Sequence, residues 1–265
     1  MSRQAGQSRP PLPLVVLGSL GVAFFAIPVV GLLWRTPWSD LAQIVSSPVV
    51  TEAFWLSLVS SVSATAIALV VGVPLAWLLA RVEFPGRRLV RGLVLVPLVL
   101  PPVVGGAALL FALGRRGLVG EPLYEYTGLV LPFSMWGVVL ATTFVAMPFL
   151  VITVEGALRN LDQRYEGAAA SLGAGRWTVL RRVTLPMVGP SIIAGLVLTW
   201  ARAFGEFGAT VTFAGNLQGR TQTLPLAVFV ALESDRAVAL AISVLMVVVS
   251  LIVLVGLRDR WWKVL

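Results

Sequence analysis

The sequence predicts an all-helical protein, a bundle of six membrane-spanning helices, and three observations predict it. Hydrophobic residues make up 58% of the 265 positions and charged residues only 12%, whereas a soluble domain carries roughly 25% charged residues. The apolar residues stand in long unbroken runs, as a helix crossing about 30 Å of hydrocarbon requires. The basic residues are concentrated in alternate connections between these runs, a pattern typical of membrane topology.

Six apolar runs are long enough to form spanning helices of about 20 residues. Their predicted bounds are 14–34, 53–80, 89–113, 133–154, 188–204 and 237–257. The first run follows a polar start and resembles a secretory signal, but it is longer than a signal's apolar region and no small-residue cleavage site ends it. We therefore expect a retained span, and a single transmembrane domain covering residues 1–265 without an added soluble domain.

The distribution of Lys and Arg predicts that both termini are cytoplasmic. In that orientation fourteen of the twenty basic residues lie inside, namely Arg3, Arg9, Arg81, Arg87, Arg88, Arg91, Arg159, Arg164, Arg176, Arg181, Arg182, Arg258, Arg260 and Lys263. The acidic residues divide almost evenly between the two sides, so the bias is specific to basic residues.

Whole classes of chemistry are excluded by composition. The chain has no cysteine and no histidine, which removes disulfides, the usual ligands of zinc, haem and iron–sulfur centres, and the commonest general base. An intramembrane enzyme would need a nucleophile with a base, or a metal. The net charge of +8 lies in short loops between apolar runs, which favours a lipid environment over nucleic acid. We expect no catalytic residue and no metal site.

The third run carries a cluster of helix-breaking residues. Pro97, Pro101 and Pro102 are followed by Gly105 and Gly106. Each interior proline removes a backbone donor and kinks the helix, and in lipid the freed carbonyls need new partners. The cluster predicts a helix that packs closely in the bundle or lines a pathway; alternatively, it reflects the higher frequency of proline in membrane helices.

The longest cytoplasmic connection, residues 155–187, predicts two short helices. Asn160 or Asp162 can cap a helix that begins near residue 163, and Gly173 stands where a left-handed residue ends it. A second amphipathic stretch follows at residues 176–183, and Pro186 should end it before the fifth span. We expect a compact projection whose small side chains let another protein approach the backbone closely.

This connection resembles the Glu-Ala-Ala loop of the permease subunits of bacterial ABC importers. The family pattern is Glu-Ala-Ala, three residues, Gly, nine residues, an aliphatic residue, any residue, and Leu-Pro. The matching residues are Ala168, Ala169, Gly173, Val183, Leu185 and Pro186. Gly167 occupies the position of the family's glutamate, and Glu166 stands one residue earlier, a shift that turns a helical side chain by about 100°.

The resemblance implies the architecture of the complex. It implies a type I permease fold in a bacterial inner membrane, a homodimer, a cytoplasmic nucleotide-binding ATPase and an extracytoplasmic oxyanion-binding protein. The chain has no Gly-x-x-x-x-Gly-Lys-Ser/Thr phosphate loop, so ATP and Mg²⁺ belong to the separate ATPase and this chain binds no cofactor. The implied ATPase-docking residues are Glu166, Gly167, Ala168, Ala169, Gly173, Ala174, Val183, Leu185 and Pro186.

A second segment, after the fifth run, bears on the substrate. This segment contains a Gly-Glu-Phe-Gly-Ala-Thr run at residues 205–210, which resembles the molybdate, tungstate and sulfate branch of these permeases and is most similar to the molybdate permeases. Residues 98–105, in the third run, also resemble that branch. Arg202 and Glu206, four residues apart, can pair on one helix face; they mark a pathway or partner contact, or else extend to the lipid headgroups. The candidate residues for the pathway or the binding-protein side are Pro101, Pro102, Gly105, Arg202, Gly205, Glu206 and Gly208.

We therefore expect the permease of an ATP-driven importer of a tetrahedral oxyanion, most simply molybdate or tungstate. A sulfate or thiosulfate permease of the same family is the first alternative. An ion-coupled secondary carrier is an alternative of another class. It would need ionisable residues near the middle of the membrane, and the six apolar runs have none there.

Overall fold

The computed structural model describes residues 11–256, and within this range all regular structure is helical. The predicted cytoplasmic residues Arg3, Arg9, Arg258, Arg260 and Lys263, and the last residue of the sixth predicted span, lie outside it. The helices are α1 Leu12–Arg35, α2 Leu41–Val45, α3 Pro48–Ile67, π1 Ala68–Gly72, α4 Val73–Arg81, α5 Arg87–Val99, α6 Pro102–Leu113, α7 Gly120–Thr127, α8 Met135–Asn160, α9 Arg164–Ser171, α10 Arg176–Val179, π2 Leu180–Thr184, α11 Leu185–Phe204, α12 Gly208–Phe213, α13 Leu224–Ser234 and α14 Arg236–Gly256.

Five helical stretches of the described range are long and apolar enough to cross a membrane: Leu12–Arg35, Pro48–Arg81, Met135–Asn160, Arg176–Phe204 and Arg236–Gly256. They correspond to the first, second, fourth, fifth and sixth predicted spans. The predicted bounds differ most for three of them. The second stretch begins at Pro48 instead of residue 53, the fourth continues to Asn160 instead of residue 154, and the fifth begins at Arg176 instead of residue 188. These five positions were therefore readable from the apolar runs.

The third predicted span is wrong as a single helix. It consists of α5 and α6, of 13 and 12 residues, separated by extended backbone at Leu100 (φ −68°, ψ 138°) and Pro101 (φ −54°, ψ 133°). A residue that precedes a proline is disfavoured in the helical region, and the consecutive prolines disfavour it at two positions in succession. Each half is only about 18–20 Å long, which is too short to cross the hydrocarbon alone.

Two other prolines do not break their helices. The prediction that Pro186 ends a helix is wrong, because Arg176–Phe204 is one continuous helical stretch. In both long stretches a π-helical segment precedes the proline: π1 stands before Pro74 and π2 before Pro186. A proline ring clashes with the carbonyl four residues earlier, and that residue lies inside the π segment in both cases. The wider turn accommodates the ring, so the helix continues.

Helix α8 forms the centre of the bundle. It packs against α3, α4 and α11, and fourteen of its residues are buried. Its side chains Leu150, Val154 and Leu158 join Leu79 of α4 in the main apolar cluster. Gly195 of α11 faces Leu150 so closely that an added Cβ would lie 2.8 Å from its Cδ1. This central packing fixes the helices from which both candidate sites extend.

Helix α1 lies at the periphery. None of its residues is buried, and it lies against α14. Its apolar side chains, including Phe24 and Phe25 at 72% and 75% exposure, face away from the rest of the chain. Such a surface suits lipid or another membrane helix, as expected for a retained span.

Candidate docking and pathway sites

The connection between α8 and α11 folds into the compact projection that the sequence predicts. We call residues 161–179, which contain α9 and α10, the docking knob. Asp162 Oδ1 accepts a hydrogen bond of 2.9 Å from the Arg164 amide at the start of α9, as predicted for one of the two candidate capping residues. Gly173 has φ +84°, and the Ala174 amide donates to the Ala169 carbonyl at 3.1 Å. The left-handed glycine stop is therefore confirmed.

The predicted docking residues all lie on or beside the knob, and none is buried. Gly167, Ala168, Gly173 and Pro186 are exposed, while the others are half-buried. Val183, Leu185 and Pro186 lie on the continuous helix that leads into the bundle, beyond the knob itself. Whether these residues contact a partner stays a prediction.

Three large side chains on the knob are exposed, which the sequence prediction did not anticipate. Leu172 is 90% exposed, Trp177 71% and Tyr165 57%. Tyr165 and Leu172 lie outside the helical stretches that are long enough to cross a membrane, and Trp177 is the second residue of one of them. Large apolar side chains exposed outside a membrane mark candidate protein interfaces. The signal that the sequence offers for them is their place in a connection predicted to lie outside the membrane.

Glu166 turns toward its own chain. Its Oε1 accepts a hydrogen bond of 2.7 Å from Thr184 Oγ1 and one of 3.2 Å from an Arg81 NH2 group. Its side chain is 22% exposed. The sequence prediction placed Glu166 among the docking residues, and its contact with a partner stays a prediction, whereas these bonds within the chain were not predicted. Arg81 lies 85 residues away, a pairing that no local pattern could reveal.

At the other end of the bundle, the two interrupted segments of the sequence meet. Helix α6 begins after the break at Leu100 and Pro101, and α12 begins after α11 ends at Phe204. A Cβ added to Gly208 would lie 2.8 Å from Pro102 Cβ. The predicted pathway residues at 101–105 and at 205–208 are thus brought together by the packing of α12 on α6.

Arg202 and Glu206 form the predicted ion pair, although its setting differs from the prediction. Because α11 ends at Phe204, the pair bridges the end of the helix instead of lying along one helical face. The Glu206 side chain is 1% exposed, and its Oε1 accepts a hydrogen bond of 2.8 Å from the Ala209 amide at the start of α12. The alternative in which the pair extends to the headgroups is wrong for Glu206, because its carboxylate is enclosed by protein.

The acidic side chains are too scattered to build a metal site. Between residues 11 and 256, no group of three or more His, Cys, Asp or Glu could hold a metal ion. What the two sites offer is a surface for a partner at one end and a tightly packed pair of broken helices at the other.

The chain is similar in sequence to known proteins over most of its length. Residues 72–262 match the family described as binding-protein-dependent transport system inner membrane component. The chain is 46% identical over 240 residues to the molybdenum transport system permease protein ModB of Mycobacterium tuberculosis, which covers 91% of this chain and 90% of the relative. It is 34% identical over 227 residues to the sulfate transport system permease protein CysT of Escherichia coli, which covers 85% and 82% respectively.

Among solved structures, one similar chain comes from the crystal structure of a bacterial ABC transporter involved in the import of the acidic polysaccharide alginate. The two chains superpose with a TM-score of 0.75 over 95% of each, at 18% identity. At this identity the likeness concerns the fold alone. The helical bundle therefore has the fold of an ABC importer permease.

Proposed function

This chain belongs to the family of binding-protein-dependent transport system inner membrane components, and we propose that it is the permease subunit of an ATP-driven molybdate importer. It is a multi-pass protein of the inner membrane and not itself the ATPase. The observation that supports the substrate assignment is the 46% identity to a molybdenum permease along 91% of the chain. Tungstate shares the tetrahedral shape and double charge of molybdate, so we include it in the substrate class.

A sulfate or thiosulfate permease is the second candidate. The 34% identity to a sulfate permease favours it less than the molybdate assignment, although the two families share the segment at residues 205–210 in part. Selection among these dianions is assigned to an external binding protein, which delivers the ion to the permease.

The proposed architecture is a homodimer of the type I class with both termini of each chain in the cytoplasm. The third crossing is made by α5 and α6 together, whose 25 residues have a combined helical length of about 37 Å. The broken crossing contributes Pro101, Pro102 and Gly105 to the proposed pathway, opposite Gly205, Glu206 and Gly208. The Arg202–Glu206 pair holds this outer part of the pathway together.

The ATPase is proposed to dock on the knob. The exposed Leu172, Trp177 and Tyr165 supply the apolar contact area, and the small residues Gly167 and Ala168 allow close approach. ATP and Mg²⁺ are bound by that separate subunit. An ion-coupled carrier is disfavoured, because the ionisable residues of the described spans lie near helix ends, such as Glu155 and Arg202, and not at their centres.

A pair of leucine substitutions tests the docking surface. Leu172→Glu introduces a charge into the proposed apolar contact, so the permease should insert normally but no longer co-purify with its ATPase. Leu118→Glu is the matched control, because Leu118 is 86% exposed but lies in the connection between the third and fourth runs, on the opposite side of the membrane in this topology. Loss of co-purification with Leu118→Glu, or its retention with Leu172→Glu, contradicts the assignment.

The substrate assignment is tested by competition. Vesicles are reconstituted with the permease, its ATPase and its binding protein, and uptake of radiolabelled molybdate is measured in the presence of excess unlabelled tungstate or sulfate. Excess tungstate should abolish the uptake of labelled molybdate, and sulfate at the same excess should leave most of that uptake. Preferential uptake of sulfate would overturn the molybdate assignment while leaving the docking surface intact.

A further inference from the structure

We propose that Glu166 is a positioning residue that latches the docking knob to the cytoplasmic end of α4, instead of contacting the ATPase. The inference rests on the proposed function, since it assigns a role within the docking site. It concerns how movement of the knob reaches the membrane helices.

The latch joins three elements through one carboxylate oxygen. Glu166, on α9, accepts hydrogen bonds from Arg81 at the end of α4 and from Thr184 in π2. Thr184 is 2% exposed, and the Arg81 side chain is 10% exposed. Hydrogen bonds to charged groups are stronger than those between neutral groups, and the low exposure limits their screening by solvent. The contact therefore fixes α9 to both neighbouring helices.

The end of α4 is itself attached to the bundle. Its last carbonyls lack partners within the helix, and arginines of α5 supply them: Arg87 Nε donates to the Leu79 carbonyl at 2.8 Å. Arg91 Nε donates at 2.9 Å to Glu155 of α8, and its NH2 group reaches the Leu79 carbonyl at 3.3 Å. A displacement of α9 is thus transmitted from Glu166 through Arg81 to α4, and from there to α5 and α8.

The orientation of Glu166 separates it from the exposed docking surface. A groove of about 520 Å³ lies between the knob and α4, and Glu166 lines it together with Arg81, Trp77 and Thr184. Leu172, at 90% exposure, does not line this groove. An ATPase seated on the exposed apolar side chains would leave the carboxylate on the inner wall, where it holds the knob in place.

The first measurement compares assembly with coupling. Glu166→Gln keeps an acceptor for Thr184 but removes the charge that holds Arg81. The variant should co-purify with the ATPase as well as the parent does, while the molybdate imported per ATP hydrolysed should fall by roughly tenfold, as expected for the loss of a charge-assisted hydrogen bond. Glu83→Gln is the matched control. It removes the same charge just beyond the end of α4, and Glu83 is exposed and forms no ion pair among residues 11–256.

Exchanging the two charges gives a result that a contact with the ATPase would not produce. Arg81→Glu combined with Glu166→Arg restores an ion pair across the same gap, and Thr184 Oγ1 can accept from the new arginine. The double variant should recover most of the coupling that either single variant loses. If the double variant is no better than the single ones and Glu166→Gln also loses co-purification, Glu166 contacts the ATPase and the latch is wrong.

A distance measurement on the permease alone separates failure of the latch from failure of the docking proposal. Because the chain has no native cysteine, Leu78→Cys on α4 and Ala170→Cys on α9 provide two unique sites for spin labels. Their distance distribution in lipid nanodiscs should be narrow, should broaden with Glu166→Gln, and should remain narrow with Glu83→Gln. An unchanged distribution in Glu166→Gln overturns the latch, whatever the ATPase experiments show.

Discussion

The close packing of α6 on α12 makes Gly106→Ala a sensitive test of the outer half of the bundle. A Cβ added at Gly106 would lie 2.7 Å from the Ala209 carbonyl oxygen and 2.8 Å from Thr212 Cβ, both well inside van der Waals contact. The carbonyl belongs to the backbone, so the two helices would have to separate. Overpacking of this kind costs about 1–3 kcal/mol. We expect a lower thermal stability of the purified permease and reduced uptake.

Gly92→Ala is the matched control for the change in helix propensity. Gly92 is also helical, and nothing lies within 4 Å of its added Cβ. Replacing a helical glycine by alanine stabilises by roughly 0.5–1 kcal/mol, and this gain applies to both variants because Gly106 also lies within a helix. The gain cancels in the comparison, so the two variants should differ by the overpacking cost of about 1–3 kcal/mol. Stability is followed by thermal denaturation in one detergent. Equal stability of the two variants would refute the close contact between α6 and α12.

Two further substitutions test buried polar contacts. Ser57→Ala removes the oxygen that accepts a 2.7 Å hydrogen bond from the buried Leu224 amide, so thermal denaturation should show a loss of stability of about 1–3 kcal/mol. The control Ser234→Ala removes an exposed hydrogen bond within one helix and should cost almost no stability. Similar losses of stability in both variants would exclude a special role for Ser57. Glu206→Ala leaves the Arg202 charge without its partner and α12 without its acceptor, so it should lower stability and uptake much more than Glu206→Gln, which still accepts from Ala209. Indistinguishable uptake and stability of the two Glu206 variants would show that the Ala209 hydrogen bond contributes little, because both variants remove the charge that pairs with Arg202.

Much of the fold was readable from the sequence, because the bilayer imposes a length and a polarity on each span. The positions of five long helical stretches followed from apolar runs alone. The conformation at the prolines did not follow from the sequence, because a proline constrains only its own φ, its amide, the residue before it and the carbonyl four residues earlier. Whether the chain separates into two helices, as at Pro101, or inserts a π segment, as before Pro186, depends on neighbouring helices that the pattern does not specify.

The candidate sites were predictable to different degrees. The knob followed from local signals, namely a capping residue, helix-forming alanines and the glycine at residue 173. The contacts of Glu166 could not be predicted, because they join residues that are distant in sequence and brought together by the packing of α4, α9 and π2. The meeting of Pro102 with Gly208 is of the same kind. Local chemistry marks where the chain breaks, and tertiary packing decides which breaks meet.

The energy source of transport tests the central claim most directly. Permease, ATPase and binding protein are reconstituted into vesicles, and molybdate uptake is followed with ATP supplied on the side of the ATPase, with and without ionophores that collapse proton and sodium gradients. We predict uptake that requires both ATP hydrolysis and the binding protein, and that is unaffected by the ionophores. Uptake that proceeds without ATP and is abolished by an ionophore would contradict the account and identify an ion-coupled carrier.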